Sequence, residues 1–128
     1  MTPKEQQRQS RVVWFEIPVW TFDRAIRFYE TIFETKLNRQ QFGPTELAIF
    51  TYDAPAIGGC LVPVQDFRPS VYASLYLNAD PSLDAVLSRV AEAGGTVVQP
   101  RTELPPGMGC YATIQDSEGN SVGIHAVN

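Results

Sequence analysis

The feature that most constrains this chain is an order of periodicities that occurs twice. Val13, Phe15, Ile17 and Val19 alternate with Val12, Trp14, Glu16 and Pro18, which is the period of a strand. Phe22, Ala25, Ile26, Tyr29, Ile32 and Phe33 then recur at helical spacing and make one apolar face over 22–34. Thr21 stands where an N-cap belongs, with Asp23 in the first turn. Three short strands are expected next, over 36–42, 46–52 and 57–62, parted by Gly43-Pro44 and by the turn that opens at Asp53. Two prolines mark 63–70 as a linker.

Then the order restarts. Val71, Ala73, Leu75 and Leu77 alternate with Tyr72, Ser74, Tyr76 and Asn78. Asp80-Pro81 reads as an N-cap followed by a first-turn proline. Leu83, Val86, Leu87 and Val90 form the apolar face of a helix over 82–93, which Gly94-Gly95 ends. Strands are expected over 96–99, 110–115 and 121–126, with a proline- and glycine-rich loop at 100–109 and a turn at 116–120. The pattern therefore predicts an α+β protein of two βαβββ modules, about 11–63 and 71–127, within one domain (11–128) behind a flexible N-terminal arm (1–10). A duplicated unit explains this economically. An ordinary α+β sandwich with accidental symmetry is the other reading of the same residues.

Composition narrows the function classes. An apolar fraction of 44% in 128 residues suits a globular core. The net charge of −4 and the absence of a Lys/Arg cluster argue against a nucleic-acid partner. No apolar run approaches a membrane span, and the polar segment 1–10 has no signal core, so a cytoplasmic protein is expected. Cys60 and Cys110, the only cysteines, form no CxxC pair and read as reduced thiols.

The alternation also sorts the strand faces. Val13, Phe15, Ile17, Val71, Ala73, Leu75, Leu77, Val122 and Ile124 should pack on the helices. The opposite face carries Trp14, Glu16, Tyr72, Ser74, Tyr76, Asn78, Ser121, Gly123 and His125. A solvated sheet face would look similar, but several large aromatics among polar groups are what a small-molecule cleft uses.

At this point the residues resemble a known family. Val12-Val-Trp-Phe-Glu-Ile-Pro-Val19 with Asp23-Arg-Ala-Ile-Arg-Phe-Tyr29 resembles the first strand and helix of vicinal oxygen chelate proteins, the glyoxalase, bleomycin-resistance and extradiol-dioxygenase group. Leu83-Asp-Ala-Val-Leu87, Ala93-Gly-Gly95, Gly107-Met-Gly109 and Asp116-Ser-Glu-Gly-Asn120 resemble later motifs of that superfamily, in order, over about 11–127. The resemblance implies a glyoxalase-like fold whose curved mixed sheets form a cavity. Many members hold a divalent metal there through His, Gln or Glu, while bleomycin-binding members hold none. Carried over residue by residue, the ligand positions fall on Trp14, about Ser74, and Gly123. None of these is a competent ligand set, so no metal and no cofactor are expected. In this the chain resembles the glyoxalase-related subgroup that opens with Trp-Phe-Glu-Ile-Pro-Val.

Glu16 and His125 lie two residues from vacated ligand positions. A carboxylate and an imidazole in one cavity could act as general base and acid; the other reading is that both only hydrogen-bond at its rim. The expected site is thus Glu16 and His125 as catalytic candidates, with Trp14, Tyr72, Ser74, Tyr76 and Ser121 binding ligand. Met108 sits either over the cavity mouth or in a plain connecting loop. Three functions stay open: a small-molecule binder with a metal-free cavity and acid–base chemistry at Glu16 and His125, a metal-dependent lyase or isomerase of glyoxalase type, and a non-catalytic ligand sensor. Whether the chain is an enzyme is left open by its residues. A homodimer is expected, because family members commonly pair and sheet edges need cover.

Overall fold

The computed structural model describes residues 2–3, 11–53, 55–72 and 75–128. The expected arm and Ser74 therefore lie largely or wholly outside the described residues. The elements run β1 (Trp14–Val19), α1 (Phe22–Phe33), β2 (Asn38–Phe42), β3 (Thr45–Ile49), β4 (Gly58–Pro63), β5 (Tyr76–Asn78), α2 (Leu83–Ala93), β6 (Thr96–Glu103), β7 (Cys110–Gln115) and β8 (Ser121–Ala126). They build two four-stranded mixed sheets, β1-β4-β3-β2 and β5-β8-β7-β6. In each, the first strand pairs parallel with the last and the rest are antiparallel. This is the βαβββ order twice over.

The helices pack on one face of the sheets because the alternation puts apolar side chains there. Ile17 and Val19 of β1, Leu61 of β4, Leu77 of β5 and Ile124 of β8 are buried. They meet Phe28, Tyr29 and Ile32 of α1 and Leu83, Val86 and Val90 of α2 in one core. Each large side chain removed from water there contributes on the order of 1.5–3 kcal/mol.

The turn between β7 and β8 ties this core to the first module. The buried Asp116 accepts hydrogen bonds from Tyr29 Oη (2.7 Å) and from the Glu118 and Asn120 amides (2.9 and 2.8 Å). Asn120 Nδ2 donates to the Pro18 carbonyl at 2.9 Å. The Glu118 side chain, wholly buried, accepts from the Trp20 and Thr21 amides (3.1 and 2.6 Å) and pairs with Arg24 at 2.8 Å. Glu118 thereby satisfies backbone donors at the start of α1.

Several sequence expectations are corrected. Thr21 is the N-cap of α1 by backbone geometry, but its hydroxyl makes no capping bond; the Glu118 carboxylate instead accepts from the Trp20 and Thr21 amides. Ser82, not Asp80, caps α2, its side chain accepting from the Ala85 amide at 3.1 Å. Asp80 instead accepts from the Val127 amide (2.8 Å), and the Asp80-Pro81 bond is cis. The strand expected from Val71 begins only at Tyr76. Ser121 N–H donates to the Ser70 carbonyl and Gly123 N–H to that of Leu75. The two β8 donors are two positions apart while their acceptors are five positions apart, so β8 does not meet the incoming chain in one continuous register. Val71, expected under a helix, is exposed, and so is Tyr72. The first two hairpin strands are shorter than expected, β2 starting at Asn38 rather than at 36 and β3 ending at Ile49 rather than at 52. The strand expected at 96–99 runs on to Glu103, through Pro100, with register shifts on both sides of Gln99; an edge strand tolerates a proline and a bulge where a central one does not.

Candidate functional site

The second sheet's register assembles a cluster on the face away from the helices. Tyr76 stands beside Gly123, and Asn78 beside His125, across β5 and β8. Across β7 and β8, Tyr111 stands beside His125 and Thr113 beside Gly123. Tyr76, Tyr111 and His125 therefore share a face while Leu77, Ala112 and Ile124 are buried on the other. A Cβ at Gly123 would run into the Tyr76 ring, so the glycine is what lets that ring lie across β8. Tyr76 and Tyr111 meet edge to face, with centroids 6.1 Å apart. With Leu104 they line, together with His125, a hollow of about 320 Å3.

The hydrogen bonds around this hollow fix which atoms remain available. His125 Nε2 lies 2.7 Å from the Met108 carbonyl oxygen. A carbonyl only accepts, so Nε2 carries a proton, and the lone pair of the neutral tautomer is then at Nδ1. Nδ1 has no partner among the described residues. The same bond holds the 104–109 loop against the sheet; within it the Gly109 backbone lies at φ +85°, where a Cβ would strike the Ala126 carbonyl. Gln99 Nε2 donates to Tyr111 Oη at 3.0 Å, which leaves the phenol proton free to be donated onward.

The first sheet arranges its residues differently. Glu16 faces Cys60 across β1 and β4, and the thiol donates to Glu16 Oε2 at 3.8 Å. Burial first, and then the Glu16 carboxylate, push the Cys60 thiol up to about 11, so it is an inert proton donor. Glu16 lines a smaller hollow of about 140 Å3 with Pro18, Ser70, Leu75, Asn120 and Ser121. Trp14 packs edge to face on Tyr52 (6.1 Å), whose ring covers Gly58. Both sheets thus carry an aromatic ring laid on a glycine.

The structure brings Tyr76 and His125 together in one hollow, and Glu16 and Ser121 together in another. Trp14 lines neither, and Tyr72, 82% exposed, lines neither as well. Sequence reasoning missed Tyr111, Leu104, Gln99 and the Met108 carbonyl. The signal for Tyr111 was present, since it alternates with Cys110, Ala112 and Ile114 just as His125 does with Ile124 and Ala126.

Of the positions that the family resemblance assigns to metal ligands, Trp14 and Gly123 supply no ligand atom. Trp14 offers only a donor, and at Gly123 the Tyr76 ring fills the space a ligand side chain would need. Ser74 lies outside the described residues. Among the described residues no group of three or more His, Cys, Asp or Glu is gathered.

Two mixed sheets, each built by one βαβββ unit and backed by one helix, define a class of paired-module α+β proteins. Comparison with solved structures gives that class its particular form. Glyoxalase I from Zea mays matches with a TM-score of 0.68 and 20% identity, over 89% of this chain and 45% of that one. This chain therefore spans about half of the maize enzyme's length. A glyoxalase/bleomycin resistance protein from a Streptomyces species matches with a TM-score of 0.66 and 25% identity, over 88% of this chain and 96% of that one. The fosfomycin resistance protein of Listeria monocytogenes, in complex with Mn(II) and a dihydroxypropylphosphonic acid, matches with a TM-score of 0.66 and 14% identity, over 93% and 91%. No family model and no curated protein matches by sequence. The chain has the vicinal oxygen chelate fold, as its motifs anticipated.

Proposed function

We propose that this protein binds a small molecule in the hollow formed by Tyr76, Leu104, Tyr111 and His125, as a glyoxalase/bleomycin-resistance-like binder that uses no metal at the superfamily's usual position. The observation that carries this reading is the Tyr76 ring on Gly123. The ring lies where a side chain at position 123, the last-strand ligand position that the family resemblance assigns, would have to stand, and it offers an apolar floor instead. An aromatic floor, one imidazole with a free lone pair and one phenol proton are the ingredients of a small-molecule site. Acid–base chemistry by a Glu16 and His125 pair draws less support, because the two residues line different hollows. His125 alone remains a candidate base through Nδ1.

The Listeria protein's ligand is a phosphonate beside Mn(II). Nothing comparable is favoured here, since Tyr76, Leu104, Tyr111 and His125 include no cationic side chain and no metal-ligand set. The test is a fragment screen followed by amide and imidazole NMR shifts. Fragments that bind should perturb Tyr76, Tyr111 and His125 together, and His125→Ala should weaken them while the protein stays folded. Perturbations confined to other surfaces would sink the proposal. Metal analysis of untagged protein should return well under one equivalent of zinc, nickel, iron or manganese. One equivalent lost on His125→Ala or Glu16→Ala would promote the metal-dependent lyase reading. Binding without turnover would favour the sensor reading. We also propose a cytoplasmic setting, supported by two buried, unpaired cysteines.

A further inference from the structure

Resting on the hollow proposed above, we infer that its ligand is an uncharged, planar aromatic molecule carrying a hydroxyl or ring N–H donor together with a hydrogen-bond acceptor. Shape comes first. The Tyr76 ring lies across Gly123 and is half exposed, so one ring face is open to the hollow as a stacking surface. Tyr111 supplies an edge at 6.1 Å and Leu104 an aliphatic wall. A flat ring uses such a surface better than a branched aliphatic does.

Hydrogen-bond polarity comes second. Because His125 Nε2–H is held by the Met108 carbonyl, the lone pair of the neutral imidazole, at Nδ1, is the atom that accepts from the ligand. Because Tyr111 Oη already accepts from Gln99, its own proton is the one left to give. The ligand must therefore donate to His125 and accept from Tyr111, and a phenolic hydroxyl can do both.

Charge comes third. No Asp, Glu, Lys or Arg is among the described residues lining the hollow. Arg101, on the adjoining strand β6, is bound to Glu103 (2.9 Å) and reaches Asp84 of α2 (3.2 Å), towards the helix side of the sheet. An ionic ligand would give up its hydration with no Asp, Glu, Lys or Arg lining the hollow to offset the loss, which costs several kcal/mol. A neutral ligand avoids that cost.

The test uses three probes of one shape, titrated into the full-length protein at neutral pH by calorimetry: 1-naphthol, 1-methoxynaphthalene and 1-naphthyl phosphate. The expected order places 1-naphthol first. The methoxy compound, which cannot donate, should bind about tenfold more weakly, and the phosphate at least as weakly again. His125→Ala should bring naphthol and methoxynaphthalene to within about twofold of each other, since the group that tells them apart is gone. Tyr76→Ala should weaken both. Three probes that bind alike, all weakened by Tyr76→Ala, would overturn the donor–acceptor inference and leave the hollow as a binding site. Tightest binding of the phosphate would overturn the uncharged-ligand inference. Failure of all three to bind would remove both the inference and the hollow on which it rests.

Discussion

At the scale of single residues, a glycine and two carboxylates carry most of the weight. Gly123 is where a side chain would collide with Tyr76. Gly123→Ala should therefore displace that ring, cost about 1–3 kcal/mol, and weaken any ligand in the hollow. Urea unfolding with aromatic-ring NMR would check it, and an alanine variant with unchanged stability and ring shifts would contradict the stacking account. Glu118 acts through charge. Its carboxyl is buried, which alone would raise its pKa, yet the Arg24 guanidinium and the Thr21 amide hold it below the usual carboxylate value. A group depressed in this way stabilises the fold above its unfolded pKa, near 4.3. That stabilisation fades as pH falls through the folded value. Glu118→Gln should cost about 1–3 kcal/mol at neutral pH, with the gap to wild type closing in acid. Asp116 has the opposite sign: burial raises its pKa despite the bond from Tyr29, so its contribution worsens as pH rises from its unfolded value through the raised folded one. A wild-type-to-Glu118→Gln gap that stays constant from neutral pH into acid would refute the ionic account.

At the scale of elements, the helices were the most legible part of the chain and the fifth strand the least. Both helices fall within one residue of the 22–34 and 82–93 periodicities, because a run of ten or more residues at period 3.6 has few other uses. The alternation over 71–78 was equally regular, yet only Tyr76–Asn78 form the strand. The reason is pairing: β8 offers bonds to Ser70 and to Leu75, and a one-chain pattern does not encode which rungs its partner provides. Tyr72 lies before the paired rungs, while Tyr76 and His125 stand on them. Pro100 misled in the other direction, since it reads as a loop and sits in an edge strand. Glu16 and His125 line different hollows, which a one-strand pattern does not encode, because each residue's face is set by its own strand whereas a shared hollow depends on how two sheets are set together. Caps show the same limit. Asp80-Pro81 looked like the start of α2, but the side chain that reaches a free amide is that of Ser82. Ser82→Ala should lower stability by about 1 kcal/mol, read as a fall in the urea midpoint at constant m-value. An unchanged midpoint would mean that solvent serves the Ala85 amide as well.

At the scale of the whole molecule, the faces away from the helices leave large aromatics in water, and these motivate the homodimer we propose. Trp14, Phe42, Tyr52 and Tyr76 are each more than a third exposed, as is Met108 beside the hollow. An isolated exposed apolar side chain is ordinary, but aromatics gathered on sheet faces mark association or ligand surfaces. A two-fold pairing covers a given patch on both copies at once. A stable pair would bury roughly 1,200–2,000 Å2 in total, more than the Tyr76 hollow alone can supply. The first sheet's face, with Trp14 on Tyr52 at 6.1 Å, is a second aromatic surface, which the ligand hypothesis leaves unused. The expectation is a species of twice 14.2 kDa in sedimentation velocity at micromolar concentration. Trp14→Glu should shift that species to monomer, because a carboxylate in the contact would lose its hydration. It should leave naphthol binding within about threefold of wild type, since Trp14 does not line the hollow and association and ligand binding then use separate faces. A wild-type protein that sediments as monomer throughout would refute the pairing. A dimer that survives Trp14→Glu would move the interface off the first sheet.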